Sequence, residues 1–294
     1  MAKLAKIIKA GIKNLLRRFV RIIIFAILAC LLFVALGGYS HNARFKIDKI
    51  SVIGADTVSE DAIREFTSAK LEGNYYFVYA RDNSFIFPKS EIQKGLLQSF
   101  VRLASVRTVR IDSHTIAVEV TERVPFAIWC GDTLVDGATP DLSNCYFFDI
   151  NGIVFARAPT FSFGVYLEFY TPLDGVNGTD VLGARMPAER FTEANAVADD
   201  FQNNIGKLFR IVIKPEGEYS VTINSSASYP VLNGVPVRFA NEAGVSAIVK
   251  NLLASLPVQF PPGQIPKKKL LYIDMRFAKN VVFGFEHTTK ATTQ

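Results

Sequence analysis

The chain has 294 residues and a formal net charge of +6. Seven of its lysines and arginines lie in residues 1–21, which contain no Asp or Glu, so the remaining chain carries a net charge of about −1. The basic balance therefore belongs to one short segment and does not indicate a nucleic-acid partner.

The first predicted element is a transmembrane helix over residues 22–41. The segment from Ile22 to Ala43 has no charged side chain, and its apolar run approaches the ~20 residues that a bilayer requires. Because all seven positive residues precede it, the positive-inside rule predicts a cytoplasmic N-terminus and an exported chain after Ser40. A cleaved signal peptide is the alternative, but the apolar core exceeds the usual ~7–15 residues and no clean small-x-small cleavage site follows it.

The basic segment, residues 1–21, is the predicted cytoplasmic tail. Apolar residues recur in it at helical spacing opposite lysines, from Leu4 to Phe19. Such a pattern can lie on an anionic lipid surface. The alternative is that the positive charges only set the membrane topology, and the sequence leaves both interpretations open.

Residues 45–124 are predicted to form a first outer domain. The strands follow from alternating apolar and polar residues, and the helices from an N-cap followed by an apolar stripe. The elements are a strand from Phe45 to Gly54, a helix capped at Ser59 and ending at Gly73, a helix from Ser90, and strands from Val106 to Ile111 and from Thr115 to Thr121. Their order is β-α-α-β-β.

Residues 125–286 are predicted to form a second domain dominated by strands, with residues 287–294 as a polar tail. Helices are expected from Pro187 to before Lys207 and from Glu242 to Leu256, because each carries one apolar stripe. The predicted strands are Phe126–Trp129, Tyr146–Asp149, Ile153–Phe155, Gly164–Tyr170, Leu208–Lys214, Tyr219–Asn224, Pro236–Phe239, Leu270–Phe277 and Val281–Phe285. The fold class is therefore α+β.

Cysteine usage fits export. Cys30 lies in the apolar segment, whereas Cys130 and Cys145 flank a polar stretch between two apolar runs. This pair is a candidate disulfide in an oxidising compartment. Two isolated cysteines without a nearby histidine are too few for a zinc site.

Two residue patterns mark the start and the end of the first outer domain. They are Phe45-x-Ile47-x-x-Ile50-x-Val52-x-Gly54 and Ile116-x-Val118-x-Val120-x-Glu122-Arg123-x-Pro125-x-Ala127-x-Trp129. With these patterns the domain resembles the POTRA domain of the FtsQ/DivIB bacterial cell-division proteins. Proteins of this family have a cytoplasmic tail, one membrane helix, a membrane-proximal POTRA domain and a distal β domain, which is the order predicted here.

The second domain resembles the β domain of the same family. Two patterns carry this likeness, Asn233-Gly234-Val235-Pro236-Val237-Arg238-Phe239 and Leu271-Tyr272-Ile273-Asp274-Met275-Arg276-Phe277. The loops Cys130–Cys145 and Phe161–Arg185 depart from the family pattern, so the mapping between them is not made residue by residue.

No catalytic, cofactor-binding or metal-binding residue is expected. His41 lies beside the membrane segment, His114 in a predicted turn and His287 in the polar tail, whereas a catalytic triad needs a histidine held next to a nucleophile. A Gly-rich phosphate loop followed by Lys-Ser or Lys-Thr is also missing from the sequence.

Partner binding is expected at the last strand. Val281 to Phe285 follows a predicted turn at Lys279-Asn280 and precedes a polar tail, which favours a position at a sheet edge. In the resembling family this region recruits the coiled-coil division proteins FtsB and FtsL. The likeness implies partner-binding roles for Tyr272, Arg276, Val281, Val282, Phe283 and Gly284. A core position is the alternative, in particular for Tyr272 and Val282.

Together with the membrane helix, the resemblance implies a non-enzymatic scaffold located at the division site of a bacterial cytoplasmic membrane. Its partners would be the lipid bilayer, proteins of FtsB/FtsL type and, at the POTRA sheet edge, further division proteins. One alternative is a membrane-anchored enzyme that acts on the cell wall. Another is a POTRA-type protein of secretion or outer-membrane assembly.

Overall fold

The structure is a computed structural model that describes residues 2–135, 140–162, 164–240, 244–261, 268–277 and 280–286, with side chains from residue 15 onward. It divides the chain into two compact units, Met1–Glu122 and Arg123–Gln294. This division lies two residues before the predicted domain boundary. The predicted tail at residues 287–294, turn residue Lys279 and helix start at Glu242 lie outside the described residues.

The first unit begins with helix α1, Ala2–Ser40. Its apolar part, Leu15–Ser40, is 26 residues long. Its side chains are exposed except at the C-terminal end, where Gly37 and Ser40 are buried. At ~1.5 Å per residue this part is about 39 Å long, which exceeds the ~30 Å hydrocarbon core of a bilayer. The chain therefore has, among the described residues, one helix long and apolar enough to span a membrane.

A small sheet covered by two helices follows α1. The elements are β1 (Lys49–Ile53), α2 (Glu60–Leu71), β2 (Asn74–Tyr75), β3 (Tyr79–Ala80), α3 (Lys89–Ser99), β4 (Leu103–Arg110) and β5 (Thr115–Glu122). Strand β5 is central, pairing parallel with β1 and antiparallel with β4. Strands β2 and β3 form a separate hairpin between the two helices.

Apolar side chains of both helices pack on one face of this sheet. Ile63 of α2 and Ile92 of α3 are fully buried against Ile116 and Val118 of β5. Helix α2 begins where the sequence predicts, because the Oγ of Ser59 accepts a hydrogen bond from the N–H of Ala62. The core of this unit thus follows directly from the helical and strand periodicities.

The Glu122 carboxylate joins the end of β5 to the loop that precedes α2. Its Oε1 accepts the backbone N–H groups of Asp56, Thr57 and Val58 at 2.7–2.9 Å, and its Oε2 accepts from the Nε of Arg102 at 2.9 Å. Burial opposes ionisation, but the four donors outweigh it and hold the pKa of Glu122 at about 2. A single carboxylate therefore holds three amides of this loop.

The described residues of the second unit contain a nine-stranded mixed sheet. Its strands are β6 (Ala127–Trp129), β7 (Tyr146–Phe148), β8 (Val154–Arg157), β9 (Glu168–Tyr170), β10 (Lys207–Ile213), β11 (Glu218–Ser225), β12 (Pro236–Ala240), β13 (Leu270–Asp274) and β14 (Val282–Phe285). Their order in the sheet is β14-β13-β12-β11-β10-β9-β6-β7-β8. Strand β14 thus lies at one end and β8 at the other.

Two helices, α4 (Ala188–Asn204) and α5 (Val245–Gln259), cover one face of this sheet. Phe201 of α4 and Leu252 of α5 are fully buried with Ile211 of β10, Val221 of β11 and Phe239 of β12. Alternate residues of the same strands point to the opposite face, because side chains along a strand alternate. We call that opposite side the outer face. The α+β fold class with an N-terminal apolar helix and a large sheet is confirmed.

The loop that follows β6 lies over part of the outer face. Leu134 and Val135 line a cavity of 210 Å³ together with Arg210 and Arg238 of the sheet. A disulfide between Cys130 and Cys145 closes the base of this loop. Cys145 is buried in a small apolar cluster with Ile128 and Ala158.

The first predicted strand, Phe45–Gly54, is shortened to Lys49–Ile53, because the chain first forms a 3-10 turn at Ala43–Phe45. Two strands of the second unit are also shorter than the sequence predicts. Strand β9 covers only the end of the predicted Gly164–Tyr170 run. Tyr166 leaves the sheet and packs on Phe147, with the two ring centroids 5.3 Å apart. Strand β13 ends at Asp274 because the Oδ1 of that residue accepts the N–H of Arg276 at 3.1 Å, which starts a turn. In both cases a side-chain contact ends the ladder.

Replacing Glu122 with Gln tests the role of its carboxylate. We expect Glu122→Gln to lower the free energy of unfolding of the first unit by about 2 kcal/mol, since hydrogen bonds to a charged group are lost. The control is Glu119→Gln, whose partner Arg107 is 69% exposed, so that change should cost less than ~0.5 kcal/mol. The measurement is thermal or denaturant unfolding of the full chain in detergent.

The same experiment has a pH dependence with a defined sign. The pKa of Glu122 falls from 4.5 to about 2 on folding, so its stabilisation is complete above pH 4.5 and is lost as the pH falls toward 2. The native chain should therefore lose stability over this window faster than Glu122→Gln. Parallel curves for the two chains would contradict the assignment.

Opening the disulfide should destabilise the second unit. The bond joins residues 15 apart, for which the loop-closure model gives about 3 kcal/mol. We expect Cys130→Ser with Cys145→Ser to lower the free energy of unfolding of the second unit by about this amount, and the unfolding midpoint with it. Cys30→Ser, which changes the free cysteine of α1, should change neither. Equal midpoints for the double variant and the native chain would argue against a structural role for the bond.

Candidate partner-binding edge

Four of the six predicted partner-binding residues, Tyr272, Val282, Phe283 and Gly284, lie in the hairpin strands β13 and β14. Val281 directly precedes β14, and Arg276 lies in the connection between the two strands, two residues after β13. Strand β13 pairs parallel with β12 and antiparallel with β14, and Tyr272 lies opposite Gly284. On its other side β14 has no neighbouring strand among the described residues. The last strand thus lies at a sheet edge, as the sequence predicts.

Alternate side chains of this last segment face the main core. Val281, Phe283 and Phe285 pack against the buried cluster of the second unit. The ring of Phe260, which follows α5, contacts those of Phe283 and Phe285 at centroid distances of 5.6 and 6.3 Å. These aromatic contacts attach the edge strand to the helical layer.

The outer face of the hairpin is built on an aromatic ring lying over a glycine. A Cβ on Gly284 would come within 2.4 Å of two ring atoms of Tyr272. The guanidinium of Arg238 on β12 lies 5.2 Å from the centroid of the same ring. Gly284 therefore permits the ring to lie flat across the two strands, and the cation stacks on it.

Arg276 is held by two carboxylates. Its Nε and Nη2 donate to Asp274 at 2.7–3.2 Å, and its Nη1 donates to Glu218 at the start of β11 at 3.3–3.4 Å. Its hydrogen bonds lower the pKa of Asp274, and those of Lys214 and Arg276 lower the pKa of Glu218. The guanidinium therefore ties β13 to β11 across β12.

The main chain of β14 presents hydrogen-bonding groups outward. The N–H of Glu286 donates to the carbonyl of Lys269 at 3.0 Å, so Val282, Gly284 and Glu286 direct their main-chain groups toward β13. Because these groups alternate along a strand, those of Phe283 and Phe285 point away from the sheet. An incoming strand would pair with these two residues.

The structure thus separates the six predicted residues into three groups. Val281 and Phe283 face the core, whereas Tyr272 and Gly284 form the outer-face pair and Val282 is 43% exposed. Arg276 makes internal ion pairs and stabilises the hairpin. Of the six, Val282 offers the most accessible apolar side chain for a partner.

Sequence reasoning missed two contributors to this edge, Arg238 and Glu218. Arg238 lies in the Asn-Gly-Val-Pro-Val-Arg-Phe pattern that carries the family likeness, so that pattern contained its signal. Glu218 carries no comparable signal, because its contact with Arg276 joins residues 58 positions apart. Only the strand order brings the two together.

Several other polar groups of the described residues have structural partners. The Nε2 of His41 lies 3.0 Å from the carbonyl of Val78, and the Nδ1 of His114 lies 3.0 Å from that of Lys46. Glu168 and Arg210 form a buried ion pair at 2.7 Å; burial raises the pKa of Glu168 despite this partner. Among the residues that the structure describes, no group of three His, Cys, Asp or Glu is placed to hold a metal ion.

No protein-family model matches this sequence, and no curated protein is significantly similar to it.

Removing the Arg276 guanidinium should loosen the edge. We expect Arg276→Gln to reduce the stability of the hairpin by about 1–3 kcal/mol, since two carboxylates lose a charge-assisted partner. Hydrogen exchange of the full chain should then be faster in β13 and β14. The control is Arg157→Gln, which loses only exposed loop partners, Ser143 and Asn144. Hydrogen exchange in the hairpin should not change in this variant. Equal exchange rates of the hairpin amides in the two variants would contradict the assignment.

Proposed function

We propose that this protein is a non-enzymatic scaffold of the bacterial division complex, of the FtsQ/DivIB type. It would cross the cytoplasmic membrane once through α1, with its N-terminus in the cytoplasm and both outer units outside. Its work would be to hold division partners at the septum. The edge strand β14 is the observation that carries this proposal.

The order of elements supports the family assignment. An apolar helix is followed by a β-α-α-β-β unit and then by a larger sheet that ends in an edge strand. Glu122, which opens the Glu-Arg-x-Pro pattern of the likeness, makes four hydrogen bonds within the first unit. A residue of the family pattern thus has a physical role in the fold.

The orientation is supported by charge and by redox chemistry. The seven basic residues on the N-terminal side of the apolar segment favour a cytoplasmic position. The Cys130–Cys145 disulfide lies on the other side of that segment and is stable in an oxidising compartment. Both features favour export of the second unit.

Strand addition is the proposed mode of partner binding. A partner segment of FtsB/FtsL type would pair with the outward main-chain groups of Phe283 and Phe285 and would place apolar side chains near Val282. The edges of the first unit's sheet, β1 and β4, are a second proposed docking surface for further division proteins. Turnover is not part of this mechanism.

Site-specific photocrosslinking tests the edge directly. A photoreactive residue at Val282, expressed in the full chain in dividing cells, should capture a small coiled-coil membrane protein. The control position is Val258 on α5, which is 82% exposed and lies on the helical layer. Crosslinks of equal yield and identity at both positions would refute edge-specific binding.

A matched pair of charge substitutions measures how much binding depends on this edge. We expect Val282→Glu to lower recovery of the partner about tenfold, because a carboxylate opposes strand addition at an apolar edge, and Val258→Glu to leave it unchanged. Both side chains are exposed, so neither change should prevent folding. Normal division of cells that carry Val282→Glu, together with full recovery of the partner by this variant, would contradict the proposal.

A further inference from the structure

The hairpin of β2 and β3 in the first unit presents aromatic side chains to its surroundings. Residues 74–80 have the sequence Asn-Tyr-Tyr-Phe-Val-Tyr-Ala and carry no charge. At the tip, Tyr76 is 81% exposed and Phe77 is 98% exposed. Large apolar side chains exposed together at one site mark an interaction surface.

This hairpin lies against the end of the apolar helix. The ring of Tyr79 contacts that of Phe33 edge-on at 4.9 Å, and its hydroxyl donates to the Phe33 carbonyl at 3.1 Å. The N–H of Ala80 donates to the Oγ of Ser40 at 3.0 Å. The hairpin is therefore attached to α1 by both aromatic packing and hydrogen bonds.

Gly37 allows the close approach of the two elements. A Cβ at this position would lie 2.0 Å from the Cγ1 of Val78 and 3.1 Å from its carbonyl oxygen. The neighbouring Gly38 has no atom within 4 Å of its own Cβ position. Only one of the two adjacent glycines is thus required for the contact.

The contact lies at membrane depth if α1 spans a bilayer. The uncharged stretch runs from Ile22 to Ala43, and the ~20 residues that cross the hydrocarbon core, counted from Ile22, end near His41. Phe33 then lies about 10 Å inside the outer end of the core, at ~1.5 Å per residue. The Tyr79 ring that packs on Phe33 must lie at or below the outer boundary of the hydrocarbon.

The backbone of the tip is held in an unusual conformation. Tyr76 and Phe77 have φ angles of 49° and 64°, and among the described residues they are the non-glycine residues with positive φ. Aromatic residues rarely occupy this left-handed region. Glycine or asparagine would suit the turn better, so the rings themselves provide the advantage at these positions.

A second group of aromatic residues lies at the same end of the unit. Tyr39, which is 61% exposed, contacts Phe45, and Phe45 contacts Phe85 with ring centroids 5.8 and 5.2 Å apart. The guanidinium of Arg110 lies 4.0 Å from the Phe85 ring. Aromatic rings next to a cation are typical of the interface between headgroups and acyl chains.

From this geometry we propose that the β2–β3 hairpin inserts Tyr76 and Phe77 into the outer leaflet of the membrane beside α1. The ligand is the lipid bilayer itself, contacted where the headgroups meet the acyl chains. The proposal rests on the membrane anchor of the proposed function and adds a second point of membrane attachment. Two points fix the direction in which the first unit leaves the membrane, whereas one helix end would leave it free to turn.

Fluorescence quenching by lipids in nanodiscs tests the insertion. The full chain carries Cys30→Ser and Phe77→Cys, and an environment-sensitive fluorophore is attached to the new cysteine. It is placed in nanodiscs of phosphatidylcholine and phosphatidylglycerol. Some of the lipids carry a nitroxide quencher close to the headgroup. The control site is Ser105→Cys, exposed in β4 opposite Thr121, about 20 Å along β5 from its membrane-proximal end at Thr115. A third sample carries the fluorophore at the native Cys30.

We expect the fluorophore at Phe77→Cys to be quenched at least about twofold more than that at Ser105→Cys, as for a group at the interface. Strong quenching at Cys30 by a nitroxide in the middle of the acyl chain reports that the anchor is inserted. If Cys30 is quenched but Phe77→Cys responds like Ser105→Cys, the hairpin proposal is refuted and the anchor remains. If Cys30 is not quenched, the membrane anchor fails and the hairpin proposal fails with it.

Paired glycine variants test the contact that positions the tip. Gly37→Leu must displace Val78 and should reduce quenching at Phe77→Cys toward the Ser105→Cys value. Gly38→Leu adds the same side chain in open space, so quenching should stay at the native level. Equal quenching in both variants would show that contact with α1 does not position the tip.

Discussion

The inward-facing side chains of β14 hold in place a strand whose opposite edge has no paired strand among the described residues. Phe283 and Phe285 pack with Phe260 against the helical layer, while their main-chain groups point away from the sheet. The same residues thus supply the attachment and the main-chain groups of the proposed binding surface. A strand fixed in this way loses little conformational freedom when a partner adds to it, which favours binding by main-chain pairing.

The outer face contributes rigidity to this edge. Tyr272 lies over Gly284 and under Arg238, and Arg276 joins Asp274 to Glu218. These contacts connect three neighbouring strands, β11 to β13, and extend to β14. The conspicuous Tyr-x-Asp-x-Arg pattern is therefore explained by hairpin stability, and its residues would support partner binding indirectly.

Much of the fold was predictable because its periodicities are local. The cap of α2, the apolar stripes of α2 and α4 and the alternation in β5 and β11 specify elements without long-range information. The edge position of the last strand also followed from its place between a short turn and a polar tail. By contrast, the partition of Val281, Val282 and Phe283 between core and surface required the register with β13, since a shift of one residue reverses both faces.

The sequence by itself determined an apolar helix with basic residues on one side, two successive α+β regions and a last strand with alternating faces. These properties depend on the composition and spacing of neighbouring residues. Tertiary structure alone decided that Gly37 accommodates Val78, that Glu122 binds the loop before α2, and that Glu218 meets Arg276. Each of these contacts joins residues more than 40 positions apart. A local sequence pattern does not indicate which distant group packs beside a glycine or pairs with a charged side chain.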